Sequence, residues 1–220
     1  MRIALFQNHP QCSRQCCDGM IKSLSPKYQI DMMTLDDMRQ QKFKSYDCIA
    51  FPGGIGDYSS YDSFFRRKTE NAVADFVANG GYYLGICMGA YWAGPRYFDI
   101  LKDATVEQYI KRPTADIKRP YGTVAKVLWN GQNEYMFFYD GGTIITKKSD
   151  AKYQVKARYK NGDPMAIMQD RLGLIGCHPE SEPHWYKSYS WMRNHYHNGE
   201  HHKLLLNFVD ELMYGKQEIL

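Results

Sequence analysis

The stretch GYYLGICMGAYWAG at residues 81–94 most constrains what this chain can fold into. A short apolar run, Tyr82–Ile86, has strand character and passes directly into Gly85-Ile86-Cys87-Met88-Gly89, with the small residues Ala90 and Ala93 beginning a helix. A G-x-C-x-G turn between strand and helix is the form of a nucleophile elbow. The sharp turn exposes the side chain at its apex, and the flanking glycines let neighbouring backbone pass where a Cβ would clash. A helix N-terminus at that point favours the thiolate of Cys87. On the pentapeptide alone, a buried structural cysteine in a glycine-rich turn remains the competing reading, since short motifs recur by chance.

The surrounding pattern is that of an α/β chain. Ile3–Gln7, Tyr28–Thr34 and Tyr46–Phe51 read as strands, the last closed by Pro52-Gly53-Gly54. From Tyr61 to Ala78 the apolar residues Phe64, Phe65, Ala72, Val73, Phe76 and Val77 recur with helical spacing, and Asn79-Gly80-Gly81 supplies the stop. Strands separated by helices imply parallel pairing. Between about Val106 and Ile175 the character changes to short β-rich runs split by turn signals, with Asn130-Gly131 and Asn161-Gly162 as hairpin dipeptides. The expected fold is therefore a three-layer α/β sandwich whose central sheet is mostly parallel, with an antiparallel extension. No linker or composition shift divides residues 1–220, so one domain is expected. The segment from residue 183 and a final amphipathic helix carrying Leu204, Leu205, Phe208, Val209 and Leu212 should pack onto it.

Composition excludes several classes. At 44% hydrophobic and 24% charged, the 220 residues are neither disordered nor fibrous, and a net charge of +4 calls for no acidic partner. No run approaches the ~18 apolar residues of a membrane span, and the N-terminus reads as a strand rather than a signal peptide. A cytoplasmic chain with free thiols follows as the expectation. Cys12, Cys16 and Cys17 lack the paired spacing of a zinc site, so no metal and no cofactor is expected there. Cys48 lies in the apolar run YDCIAF and reads as a small buried hydrophobe.

A second element bears on Cys87. Residues 172–180, LGLIGCHPE, form an apolar strand running into His178-Pro179-Glu180. In extended backbone, residues two apart face the same side, so Glu180 is placed to reach the His178 imidazole. That supplies a base and its orienting acid for a Cys–His–acid arrangement. Acyl transfer also needs donors for the oxyanion, and Gly53-Gly54 at the end of an earlier strand can offer N–H groups beside that of Met88.

The segments FPGGIGDY, GYYLGICMGAYWAG and IGCHPE, in this order, resemble the class I glutamine amidotransferase-like fold, which is flavodoxin-like. With FFYDGG at residues 137–142 as a further element, the pattern is most similar to the amidotransferase-like domain at the N-terminus of biotin–protein ligases. The resemblance spans about residues 1–182. It implies Cys87 as nucleophile, His178 as base, Glu180 as its partner, and Gly54 with Met88 as oxyanion donors. Glutamine-hydrolysing members carry Gln two residues after the second glycine of the elbow, where this chain has Tyr91. The expected substrate is therefore a small-molecule or peptide amide other than free glutamine, attacked through a thioester. Any ammonia-transfer role would need a separate synthetase or ligase protein. The alternative is a catalytically silent binding module for a nucleotide, nucleic acid or protein.

The C-terminal fifth holds His184, His195, His197, His201 and His202 within an aromatic and basic segment. A solvated loop is favoured over a metal site for the histidines. A helix packing Trp185 and Trp191 on the core is favoured over a nucleic-acid surface or a lid. Lys111-Arg112 and Lys118-Arg119 read as an ordinary solvated face.

Overall fold

The structure is a computed structural model describing residues 1–8, 12–54, 67–148 and 151–215, with the side chains of 67–70 excepted. The strands are β1 (Arg2–Phe6), β2 (Gln29–Met33), β3 (Cys48–Phe51), β4 (Tyr82–Ile86), β5 (Ala104–Gln108), β6 (Thr123–Trp129), β7 (Gln132–Phe138), β8 (Gly142–Thr146), β9 (Gln154–Tyr159), β10 (Pro164–Gln169) and β11 (Leu172–Ile175). The helices are α1 (Arg14–Leu24), α2 (Leu35–Arg39), α3 (Arg67–Ala78), α4 (Met88–Trp92), α5 (Ser190–Arg193) and α6 (Glu200–Tyr214).

Among the described residues, nine strands form one sheet in the order β2-β1-β3-β4-β11-β10-β9-β6-β7. The five from β2 to β11 pair in parallel, and the remaining four continue the sheet in antiparallel fashion. β5 and β8 pair separately as a two-stranded ribbon. The mostly parallel sheet with its antiparallel extension is as the sequence predicts.

Strand alternation sorts the core into two layers. Ile3, Leu5, Cys48, Ala50, Leu84 and Ile86 pack with Cys17, Met20 and Leu24 of α1 and with Leu205, Phe208 and Val209 of α6. Their neighbours Ala4, Phe6, Ile49, Phe51 and Tyr83 face the other way, against Met38, Ala72, Val73, Phe76 and Trp92. Successive Cβ atoms of a strand point to opposite faces, so alternate residues of the same strands serve the two cores. The elbow sits at the carboxyl end of β4, between β3 and β11 in the parallel part, where open α/β sheets place ligand crevices.

The helix expected over residues 61–78 is present from Arg67 to Ala78, and Phe64 and Phe65 lie outside the described residues. The C-terminal segment departs from expectation. Trp185 packs edge-on against Phe137 and His178, but Trp191 is 48% exposed and stacks loosely on Tyr189. The cause is its position on α5, a single turn whose buried residue is Met192. Nor are the histidines a solvated loop: His201 and His202 are buried in the first turn of α6. Arg112 and Lys118 are engaged as well. Arg112 pairs with Asp163 at 3.0 Å, and Lys118 Nζ donates to the carbonyls of Arg112 and Pro113.

Candidate functional site

Cys87 has φ 50° and ψ −104°, a combination that a side-chain-bearing residue adopts only when its surroundings impose it. Two backbone hydrogen bonds and close packing impose it here. Cys87 N–H donates to Ile175 O at 2.8 Å, tying the elbow to β11, and Gly89 N–H donates to Pro52 O at 3.2 Å, tying it to the Pro-Gly-Gly turn. The glycines fit the closeness of that packing. A Cβ on Gly85 would lie 2.3 Å from Gly89 O, and one on Gly89 would lie 2.2 Å from Phe51 O. Tyr83, fully buried under the turn, donates its hydroxyl to Gly89 O at 2.7 Å.

His178 arrives at the carboxyl end of β11, beside β4, and its N–H donates to Phe137 O at 2.9 Å. This brings FFYDGG to the same place, and the Cys87 thiol donates to Tyr139 O at 3.5 Å. His178 Nδ1 and Glu180 Oε1 are 2.9 Å apart, with the carboxylate wholly buried. Burial works against a charged imidazole. The facing Glu180 carboxylate and then the Cys87 and Cys16 thiols outweigh it, so the affinity of His178 for a proton is raised well above the usual histidine range.

Of the sequence-predicted residues, Cys87, His178 and Glu180 lie together, Gly53 stands against the His178 ring with Gly54 next in the chain, and Met88 begins α4. Gly53 has its own steric role, since a Cβ there would sit 2.6 Å from His178 Cε1. Met88 N–H heads α4, where no carbonyl one turn earlier is in register to accept it. Tyr91 lies in α4 one turn beyond Cys87, and its partner is the residue next to Tyr139, whose carbonyl accepts from Cys87. Its hydroxyl donates to Asp140 O at 3.1 Å, and its ring lies against Gly142.

Sequence reasoning gave no part in the site to Cys16, Tyr139 or Asp140, and placed Trp185 only in the core. Cys16 Sγ is 3.9 Å from His178 Nδ1 although 162 residues separate the two, a proximity that no local pattern encodes. Cys16 Sγ, His178 Nδ1 and a Glu180 oxygen all lie within 4.8 Å of one another. Burial pushes the Cys16 thiol up to about 11. Asp140 has φ 49°, holds Gln108 through Oδ2 at 2.8 Å, and leaves its buried Oδ1 with no hydrogen-bond partner among the described residues.

The C-terminal histidines brace the acid. His197 Nε2 and His202 Nε2 lie 3.0 and 3.2 Å from Ser181 O, the residue after Glu180. His197 Nδ1 accepts from Gly199 N–H at 3.1 Å and His201 N–H at 3.2 Å, capping α6. That ring must be neutral with its proton on Nε2. Burial, then His201 stacked 4.2 Å away, hold it down to about 3, against the Ser181 carbonyl bond. Unfolded His197 binds a proton below about pH 6.5 and folded His197 does not until far lower, so stability falls as the pH drops through that window. Because the ring is only half-buried, the expected loss is about 1–3 kcal/mol. Melting curves between pH 7 and 4 should show a falling Tm that His197→Asn flattens; identical acid limbs would rule out this cap as the cause.

Comparison with known proteins agrees with this architecture. Residues 7–112 match the family described as "Biotin-protein ligase, N terminal". The biotin–protein ligase of Schizosaccharomyces pombe is 23% identical over 200 residues, covering 77% of this chain and 31% of the ligase. The chain thus spans about a third of the length of the curated relative it matches. Among solved structures, a glutamine amidotransferase superposes with a TM-score of 0.63 at 16% identity, covering 96% of this chain and 98% of the other. Another, from Thermotoga maritima, gives 0.65 at 10% identity, covering 97% and 98%. The chain has the class I glutamine amidotransferase-like fold, and its first half is similar to the N-terminal part of biotin–protein ligases. Among the described residues, no helix is long and apolar enough to cross a membrane.

Proposed function

We propose that residues 1–220 act as one cysteine-nucleophile unit, a hydrolase or amidotransferase-like enzyme that opens an amide or related acyl bond through a thioester. One observation carries this reading: a strained Cys87 at the apex of the elbow faces an imidazole whose other nitrogen is held by a buried carboxylate at 2.9 Å.

In this mechanism His178, oriented by Glu180 through Nδ1, takes the Cys87 proton on Nε2. The thiolate adds to the acyl carbon, and the oxyanion is held by the N–H groups of Met88 and Gly54. Collapse expels the amine, which takes the proton back from His178. Water or a second amine then opens the thioester, with His178 again as base. Six unpaired thiols fit a reducing, cytoplasmic setting. The likeness to one third of a ligase supports a partner role with a separate ligase or synthetase protein.

Free glutamine is not the substrate. Where glutamine-hydrolysing relatives carry a carboxamide, Tyr91 presents a rigid phenol already bonded to Asp140 O. The lost polar contact costs about 1–3 kcal/mol, or roughly one to two decades in kcat/KM. A glutaminase assay on the isolated chain should give no robust ammonia release; release abolished in Cys87→Ala would restore glutamine as substrate. The general test is intact-mass analysis after incubation with a pool of small amides and peptides. An acyl adduct that maps to Cys87 supports the mechanism. A chain that never acquires one, under conditions where Cys87 is no more reactive than the other thiols, is the silent binding module.

A further inference from the structure

We propose that Cys16, His178 and Glu180 form a binding site for a thiophilic divalent cation of the zinc type, and that the bound cation switches the Cys87 site off. The cation site stands on geometry alone; its effect on Cys87 rests on the reading of Cys87 as nucleophile.

Sulfur, imidazole nitrogen and carboxylate oxygen are the donor set of tetrahedral zinc. Bonds of about 2.3 Å to sulfur and 2.0 Å to nitrogen or oxygen put neighbouring donors roughly 3.2–3.6 Å apart. Here the Sγ to Nδ1 distance is 3.9 Å and Nδ1 to Oε1 is 2.9 Å. Each separation needs a change of a few tenths of an ångström, within reach of side-chain rotation. All three residues are buried, Glu180 completely.

The second oxygen of Glu180 points to a ligand. Oε2 is buried and has no hydrogen-bond partner among the described residues, and an interior carboxylate oxygen without a donor is costly. A cation is the partner it lacks. Gly53 keeps the space beside these donors clear, since a Cβ there would lie 2.9 Å from Cys16 Sγ and 2.6 Å from His178 Cε1. Among the described residues no other group of three such donors comes together. The His197 cluster does not, because its Nδ1 is spent on capping α6.

Binding is an exchange of a proton for metal, with no change of oxidation state. The cation replaces the Cys16 thiol proton, which is released to solvent, and takes Nδ1 of the neutral His178 ring, whose single proton moves to Nε2. A histidine metallated on one nitrogen and protonated on the other has no lone pair for a thiol. Cys87 then keeps its proton, and Glu180 is drawn from orienting the base to ligating the metal.

Cobalt(II) titration of the full chain, first stripped with chelator, tests the site. One equivalent should bind and produce a near-ultraviolet thiolate-to-cobalt band. Cys16→Ser should abolish the band and weaken binding by about a hundredfold, while Cys17→Ser and Cys87→Ser keep both. Excess Zn²⁺ should slow iodoacetamide labelling of Cys87 at least about tenfold in the unaltered chain and not in Cys16→Ser. X-ray absorption of the zinc-loaded unaltered chain needs no variant, and should show one sulfur with nitrogen and oxygen neighbours. No stoichiometric binding, a band that survives Cys16→Ser, a sulfur count other than one, or labelling indifferent to Zn²⁺ overturns the proposal. If Cys87 is unreactive in the metal-free chain, the functional reading falls while the cobalt titration still decides the cation site.

Discussion

At neutral pH, iodoacetamide labels Cys87 ahead of the five other cysteines, and His178→Ala slows that labelling by about 10²-fold, the lower end of what a positioned base contributes. Exposure does not explain the selectivity, because all six thiols are buried and Cys87 is only 6% exposed. What sets Cys87 apart is its partner. The other thiols sit in the core or, like Cys177, are pushed up by burial to about 12. Cys16 touches the same imidazole, but burial dominates it. Glu180→Gln should have a smaller effect than His178→Ala, since it keeps the shape and removes the charge that raises the proton affinity of His178. Labelling is followed by peptide mapping over time. Equal rates for Cys87 and a second cysteine, or a rate that survives His178→Ala, defeats the activated-nucleophile reading.

The second large effect is structural. Gly89→Ala should destabilise the chain by more than about 4 kcal/mol, a loss of order 10 °C in Tm for a chain of this size. The added Cβ would stand 2.2 Å from Phe51 O and 2.8 Å from the Phe51 carbonyl carbon. Both are backbone atoms of β3, which no side-chain rotation can clear. Gly131→Ala is the control. Gly131 has φ 84° in the hairpin between β6 and β7, but nothing lies within 4 Å of its missing Cβ. It should lose only the conformational term, about 1 kcal/mol. Thermal melts of the two variants separate crowding from backbone strain. Equal losses would mean that the elbow is not packed as described.

The sequence by itself determined the elements whose signals are local. The run Tyr82–Ile86 ending in Gly-x-Cys-x-Gly, the hairpin at Asn130-Gly131 and the strand before His178-Pro179-Glu180 each carry their periodicity and turn chemistry within about ten residues. Glu180 was readable as the partner of His178 because the two are neighbours but one in the chain. The α/β class followed from strands alternating with helices.

Only the tertiary structure decided the rest. Cys16 had no legible link to His178, since the contact depends on α1, packed on one face of the sheet, starting beside the carboxyl end of β11. The histidines after residue 194 looked solvated because hydrophilic composition predicts exposure. Folding instead places His197 and His202 over Ser181, where both ring nitrogens of His197 find partners and its burial is tolerated. Tyr91 sits at the position its spacing assigns, yet its hydroxyl is claimed by a carbonyl 49 residues away. Spacing along a chain decides which face a side chain starts from. What that side chain meets is decided by elements remote in sequence, and hydrogen bonding and burial are properties of those meetings.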